Sequence, residues 1–150
     1  SVEDAQTMFW GEYSHCIDKK GRLIIPARYR AHLCEGAFLT RGLDQNLVIY
    51  SADSWKQLTE QLNSLPITDA KGRALRRLLL SGAIDISLDR QGRLLIPAYL
   101  RDYAFLDEDA FIVGMETYIE IWEPLRWQNV LDKVSSPFAD SGNPFKLSLS

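Results

Sequence analysis

The chain carries the same segment twice. DKKGRLIIPARYR at residues 18–30 returns as DRQGRLLIPAYLR at residues 89–101, with eight of thirteen positions identical at a constant offset of 71. The likeness extends outward: FLTRGLDQNLVIYS from Phe38 is echoed by FIVGMETYIEIWE from Phe111, and Trp55 by Trp127. Duplication on this scale means that one structural unit of about 50 residues is used twice, and whatever its residues do is done at two places per chain.

Each copy reads as a β-rich unit. Residues 9–17 and 83–88 are strand-like, and each runs into a turn, Asp18-Lys19-Lys20-Gly21 in one copy and Asp89-Arg90-Gln91-Gly92 in the other. Asp at the first corner and Gly at the fourth suit a type I turn closed by a left-handed residue, a common three-residue hairpin connection. The returning strand is short, because Pro26 and Pro97 lack the N–H that a central strand needs. Proline is tolerated where a helix begins, and a short helix is expected after each. Two apolar strands follow, residues 37–40 with 47–51 and residues 111–114 with 118–122. A helix then closes each unit, with Trp55, Leu58 and Leu62, or Trp127, Val130 and Val134, on one face at 3.6-residue spacing.

Between the copies, TDAKGRALRRLLLSGA predicts a linker helix within residues 67–82, capped by Thr68 or Asp69 and stopped at Gly82. Leu75, Leu78 and Leu79 form its apolar stripe. Arg73, Arg76 and Arg77 lie on another side, as a solvated face, a set of subunit ion pairs or a binding surface.

One such unit exposes too much apolar surface to stand alone. Two units that interleave their hairpins share a core and leave fewer open edges. The expected fold is therefore mainly β with short helices (α+β), a single barrel domain over residues 8–134. Repeat one occupies about 12–54, repeat two about 83–126 and the closing helix about 124–134, while Leu23, Ile25, Leu94 and Ile96 line the core. Residues 1–7, which precede Met8, read as an extension without part in the fold, and residues 135–150, rich in Ser, Pro and Gly, as a flexible tail.

No run of eighteen apolar residues and no signal-peptide pattern before Met8 is present, which leads to the expectation of a soluble cytoplasmic protein with no membrane partner. The two cysteines form no CxxC motif. A zinc site from His15, Cys16, His32 and Cys34 is disfavoured, because adjacent strand residues face opposite sides and the second copy has Ile86, Ser87, Tyr103 and Phe105 at those positions. No metal or cofactor is expected.

Net charge is −3, but unevenly placed. Residues 1–101 carry 14 basic and 11 acidic side chains, or +3; the remainder carries 3 and 9, or −6. A chain polarised in this way can keep one basic face. The cations gather where the repeats begin: Lys19, Lys20, Arg22, Arg28 and Arg30 in the first copy, and Arg90, Arg93 and Arg101 in the second. Arg22 and Arg93 stand just past the turns, where an apolar residue or Thr would serve a strand better, and a doubled turn of two or three cations points to nucleic acid. Asp18 and Asp89 could be taken for a catalytic dyad sharing a proton. Each has an Arg four residues away that keeps it ionised, and no triad, phosphate-loop or metal motif is present, so no catalytic residue and no enzymatic activity are expected.

The repeated D-x-x-G-R-L-x-I-P, the opening MFWGEYSHCID from Met8 and the central RALRRLLLSGA together resemble the MraZ family of bacterial transcriptional regulators, whose halves are each similar to an AbrB-type swapped-hairpin DNA-binding domain. The likeness runs from Met8 to about Val134. It implies a double-split β-barrel made by two pseudo-symmetric halves, a homo-oligomeric ring, association with the nucleoid, and binding of double-stranded DNA at short direct repeats. Those repeats would lie in the promoter of the division and cell-wall gene cluster, upstream of the regulator's own gene among others. The family's D-x-x-x-R motif falls on Asp18 with Arg22 and on Asp89 with Arg93, its arginine being associated with DNA contact. Lys19, Lys20, Arg90, Arg28 and Arg30 are expected to bind DNA with them, and Asp18, Gly21, Asp89 and Gly92 to shape the turns. The second turn has Gln91 where the first has Lys20 and is the less basic. A ring-forming interaction protein that does not bind DNA is the alternative.

Overall fold

The duplication reappears as two successive sets of the same elements. The computed structural model describes residues 9–141; the expected extension at residues 1–7, and residues 142–150 of the expected tail, lie outside the described residues. The first half runs β1 (Phe9–Cys16), β2 (Arg22–Ile24), α1 (Ala27–Arg30), β3 (Ala37–Arg41), β4 (Leu47–Ser51) and α2 (Ala52–Asn63). Helix α3 (Ala70–Gly82) links it to β5 (Ile84–Ile86), β6 (Arg93–Leu95), α4 (Ala98–Tyr103), β7 (Asp109–Glu116), β8 (Tyr118–Trp122) and α5 (Pro124–Ser141). The fold is mainly antiparallel β with short helices.

Pairing crosses between the halves. One sheet has the order β1-β7-β8-β4-β3-β5, and a second consists of β2 and β6. Exchanging the halves maps β1 onto β5, β7 onto β3 and β8 onto β4, so the larger order reads the same from either end. A pseudo-twofold axis therefore passes between β4 and β8, and again through the β2–β6 ribbon, where Leu23 faces Leu94. Neither half could form this sheet alone, since among the described residues β1 pairs only with β7 and β5 only with β3. Where a closed barrel is expected, the larger sheet is open, with β1 and β5 at its edges. Strands β2 and β6 are three residues long, each soon followed by a proline, and they ladder with each other rather than with both edges.

The ribbon closes over one face of the sheet. Leu23, Ile25, Leu94 and Ile96 are buried there with Leu39, Ile112 and Ile119, as their strand alternation predicts. Each such side chain contributes about 1.5–3 kcal/mol relative to exposure, which makes this core the main stabilising element. Tyr29 of α1 is also buried, and its hydroxyl donates to the Trp10 carbonyl of β1.

Helices α2 and α5 are equivalents under the axis. Trp55 stacks on Phe38 with ring centroids 5.1 Å apart, and Trp127 packs on Trp122 at 5.7 Å. Both helices are capped at the preceding residue: the Ser51 hydroxyl accepts the Ser54 N–H at 3.3 Å, and the Glu123 carboxylate the Arg126 N–H at 2.9 Å. Helix α5 continues past Val134, and the Ser135 hydroxyl, at the head of the expected tail, donates to the Leu131 carbonyl at 2.8 Å as a helical serine does. Asp69 caps α3 through the Lys71 N–H at 3.0 Å. That helix is tied to β3 by the Thr40 hydroxyl on the Leu79 carbonyl and by Arg41 on the Leu78 carbonyl at 3.1 Å. Among the described residues no helix is long and apolar enough to cross a membrane.

Candidate nucleic-acid interface

The Asp-x-x-Gly-Arg segment folds as a self-contained turn built around its carboxylate. Asp18 Oδ1 accepts the backbone N–H groups of Lys20 and Arg22, both at 2.9 Å, and Oδ2 accepts the Arg22 Nε–H at 2.6 Å. Asp89 repeats the pattern with the N–H groups of Gln91 and Arg93 at 2.9 Å and with Arg93 Nε at 2.7 Å. Gly21 and Gly92 have φ of 88° and 76°, a left-handed conformation that closes each turn and that other residues adopt only with strain. The backbone N–H of Arg22 holds the Asp18 carboxyl below its ordinary value against desolvation, aided by the Arg22 guanidinium and the Lys20 N–H. Asp89 is held down in the same way, the backbone N–H of Arg93 first. Both aspartates are therefore anionic acceptors that orient an arginine, and neither is suited to general-acid chemistry.

The two turns lie side by side. The Ile25 N–H donates to the Gly92 carbonyl and the Ile96 N–H to the Gly21 carbonyl, both at 2.9 Å, so each turn is pinned by the strand leaving the other. Arg93 Nη1 is 4.0 Å from Asp18 Oδ2, and that carboxylate thus lies between the motif arginines of both repeats. Each aspartate takes its hydrogen bond from Nε of its own arginine, so that among the described residues the terminal guanidinium nitrogens donate no hydrogen bond, the 4.0 Å approach of Arg93 Nη1 to Asp18 being their one ion pair. Paired arginines on one short ribbon form a composite cationic surface.

Among the expected basic residues, Lys19, Lys20 and Arg90 are exposed on the turns, while Arg22 and Arg93 are half-buried at their exits. Arg28 lies apart: its guanidinium is 4.8 Å above the Trp10 ring and donates to the Tyr13 hydroxyl at 3.1 Å. The second repeat has Tyr99 at this position, donating to the Gly82 carbonyl at 3.0 Å, so this cation is not duplicated. Arg30 donates Nε–H to the Ile25 carbonyl at 2.8 Å and covers Gly92, where an added Cβ would meet its Cζ at 2.2 Å. Arg101 does the same for the first turn, with Nε 3.0 Å from the Ile96 carbonyl and 3.0 Å from a Cβ built on Gly21. Each therefore buttresses the turn of the opposite repeat. The spacing of the duplicated segment contains Arg101, but nothing in one segment shows that its arginine will reach the other.

Elsewhere, Cys16 and Cys34 are exposed free thiols, and a hydrogen bond to Asp109 raises the Cys16 pKa, a direction opposite to that of a reactive thiolate. Among the described residues no group of three or more His, Cys, Asp or Glu is gathered in one place.

Comparison with known proteins finds two successive matches to one family, which meet within α3. The family described as "MraZ protein, putative antitoxin-like" matches twice, over residues 8–78 and 79–143. The chain is similar to "Transcriptional regulator MraZ" of Herpetosiphon aurantiacus, 52% identical over 133 residues that cover 89% of this chain and 90% of the relative. Proteins of the same name from Roseiflexus castenholzii and Desulfitobacterium hafniense are 52% and 48% identical, over 86% and 89% of this chain and 90% and 94% of their own lengths. These relatives are named as regulators of transcription, not as enzymes. With both halves matched, and with relatives of this identity spanning most of its length, the chain belongs to the MraZ family.

Proposed function

We propose that this protein is a sequence-specific DNA-binding regulator of transcription that acts on short direct repeats in the promoter of the bacterial division and cell-wall gene cluster, including the promoter of its own gene. The observation that carries this reading is the juxtaposition of two Asp-x-x-Gly-Arg turns on one ribbon. The aspartates hold Arg22 and Arg93 in place, and Lys19, Lys20 and Arg90 surround them with exposed positive charge. Arginine so placed reaches phosphate or the O6 and N7 edge of guanine, and lysine on a turn contributes attraction without base preference. The names of the relatives favour the same activity. We read the exchange of strands between halves as a double-split β-barrel of two AbrB-like units, and the protein as a cytoplasmic, nucleoid-associated homo-oligomeric ring. In that assembly Arg22, Arg93, Lys19, Lys20 and Arg90 contact DNA, Arg28 and Arg30 flank them, and Asp18, Gly21, Asp89 and Gly92 shape the turns.

A gel shift on the DNA upstream of the protein's own gene, at two salt concentrations, tests this. Binding that weakens steeply as salt rises is expected, because cations on phosphate release condensed counterions. A second reading, a ring-forming interaction module without DNA binding, is favoured by exposed apolar side chains such as Leu43, Ile67 and Leu125, at 66%, 76% and 74% exposure. Absence of a shift from an intact oligomer would favour that alternative.

A further inference from the structure

The outer face of the β2–β6 ribbon carries two hydrocarbon side chains that the core does not use. Strand alternation turns Leu23 and Ile25, and likewise Leu94 and Ile96, inward, where all four are buried. It leaves Arg22, Ile24, Arg93 and Leu95 on the opposite face, with Ile24 at 40% and Leu95 at 57% exposure. The register sets Arg22 directly across from Leu95 and Ile24 across from Arg93. Each apolar residue thus stands beside one of the motif arginines, and the pseudo-twofold axis repeats the arrangement. A solvated ribbon position would be served as well by Thr or a charged residue.

A cation next to a hydrocarbon, presented twice on a two-stranded ribbon, is complementary to the major groove of B-DNA. That groove admits such a ribbon, offers guanine O6 and N7 to arginine, and displays the thymine C5-methyl as its apolar feature. Facing side chains across an antiparallel pair are about 5 Å apart at Cβ, against a rise of about 3.4 Å per base pair. An arginine and its apolar neighbour therefore address the same or adjacent base pairs.

We propose that Ile24 and Leu95 are specificity-determining residues that read thymine methyl groups beside the bases held by Arg93 and Arg22. This rests on the operator-binding reading and adds a base preference to it. The test uses the full-length assembled protein and two synthetic duplexes of the upstream DNA, one natural and one with deoxyuridine for every thymine of the direct repeats. The wild-type protein loses about fourfold in affinity for each methyl contacted. The double variant Ile24→Ser/Leu95→Ser binds the natural duplex more weakly and the two duplexes alike, whereas Ile24→Val/Leu95→Val keeps the discrimination. Arg22→Ala weakens binding to both duplexes and leaves their ratio unchanged.

Equal affinity of the wild type for both duplexes overturns the methyl reading and leaves DNA binding intact. Failure of the wild type to bind either duplex overturns both. Undiminished discrimination by the serine variant removes Ile24 and Leu95 from the role. Disassembly of that variant in sedimentation, with no discrimination by the wild type, assigns the pair to a contact between copies and likewise overturns the proposal.

Discussion

Asp18 and Asp89 separate a geometric role from a purely electrostatic one. Each is an anion within a cationic surface, so on charge alone its removal should strengthen attraction to phosphate. If instead the carboxylate orients the arginine, Asp18→Ala/Asp89→Ala weakens operator binding, by about tenfold or more when a base or phosphate contact is lost at each turn. Filter binding at fixed salt decides the sign, and tighter binding by the double variant would discard the orienting role. The carboxyl groups also set a pH window. Their pKa values are lowered in the folded protein from an ordinary 3.8, chiefly by the backbone N–H of the residue four positions on. A group with a depressed folded value stabilises the fold above its unfolded pKa and ceases to do so as pH falls through the folded one. The turns therefore stay intact through the ordinary carboxylate range and loosen below it, and carboxyl resonances of Asp18 and Asp89 titrating with midpoints below 3.8 in NMR are the expected result. This part of the site was legible in the sequence. Asp and Gly at fixed turn positions have few other uses, and Arg22 and Arg93 interrupt a strand pattern at equivalent places.

The individual elements were legible for a similar reason and their partners were not. Strand alternation, the prolines and the caps act within a few residues, so β1, β4, β8 and the bounds of α3 follow from local chemistry. Which strand pairs with which depends on contacts far apart in the chain, and the crossing of β1 to β7 and β3 to β5 leaves no local trace. Strand β5 shows the consequence: residues 83–88 have strand composition, but only Ile84, Asp85 and Ile86 ladder, opposite Leu39, Phe38 and Ala37, because β3 begins at Ala37 and its far end, Thr40 and Arg41, is tied to α3. A second consequence is Gly114 of β7, which faces Gly11 across the ladder. A Cβ added there would lie 2.2 Å from the Trp10 backbone nitrogen, contact that only a shift of β1 can relieve. Gly114→Ala is expected to destabilise the protein by about 1–3 kcal/mol, the usual range for overpacking. Chemical denaturation gives the size, and faster hydrogen exchange confined to β1 and β7 gives the place; an unchanged midpoint would show that the edge strand yields freely. Arg30→Ala tests the cross-repeat buttress, since it should move the amide resonance of Gly92 in the other half more than that of Gly21.

At the scale of the whole molecule, a protein of net charge −3 can hold DNA only through local concentration of its cations and through several sites acting together. Each chain offers Lys19, Lys20, Arg22, Arg90 and Arg93 on its paired turns, too few to hold DNA tightly at physiological salt, where affinity falls with salt roughly in proportion to the phosphates neutralised. Useful affinity then requires several protomers on one duplex, and sedimentation should show an assembly larger than a dimer. Linking sites in a rigid assembly raises avidity by about 10²–10⁴ over a single contact, provided that geometry lets them engage together. Direct repeats one helical turn apart, about 10.5 base pairs, present the same face to successive protomers. A spacer altered by half a turn carries the second repeat to the far side of the duplex, and most of the avidity is lost; a spacer longer by a whole turn restores much of it. A single repeat binds poorly at any spacing. Arg22→Ala multiplies a modest loss at each turn across the assembly and so severely weakens promoter binding while light scattering still reports the intact oligomer. A non-specific basic surface would be indifferent to the phase of the repeats. Equal affinity for half-turn and whole-turn spacers, measured at one salt concentration on duplexes of equal length, would therefore remove the multivalent mechanism and leave a non-specific basic surface as the better account of the paired turns.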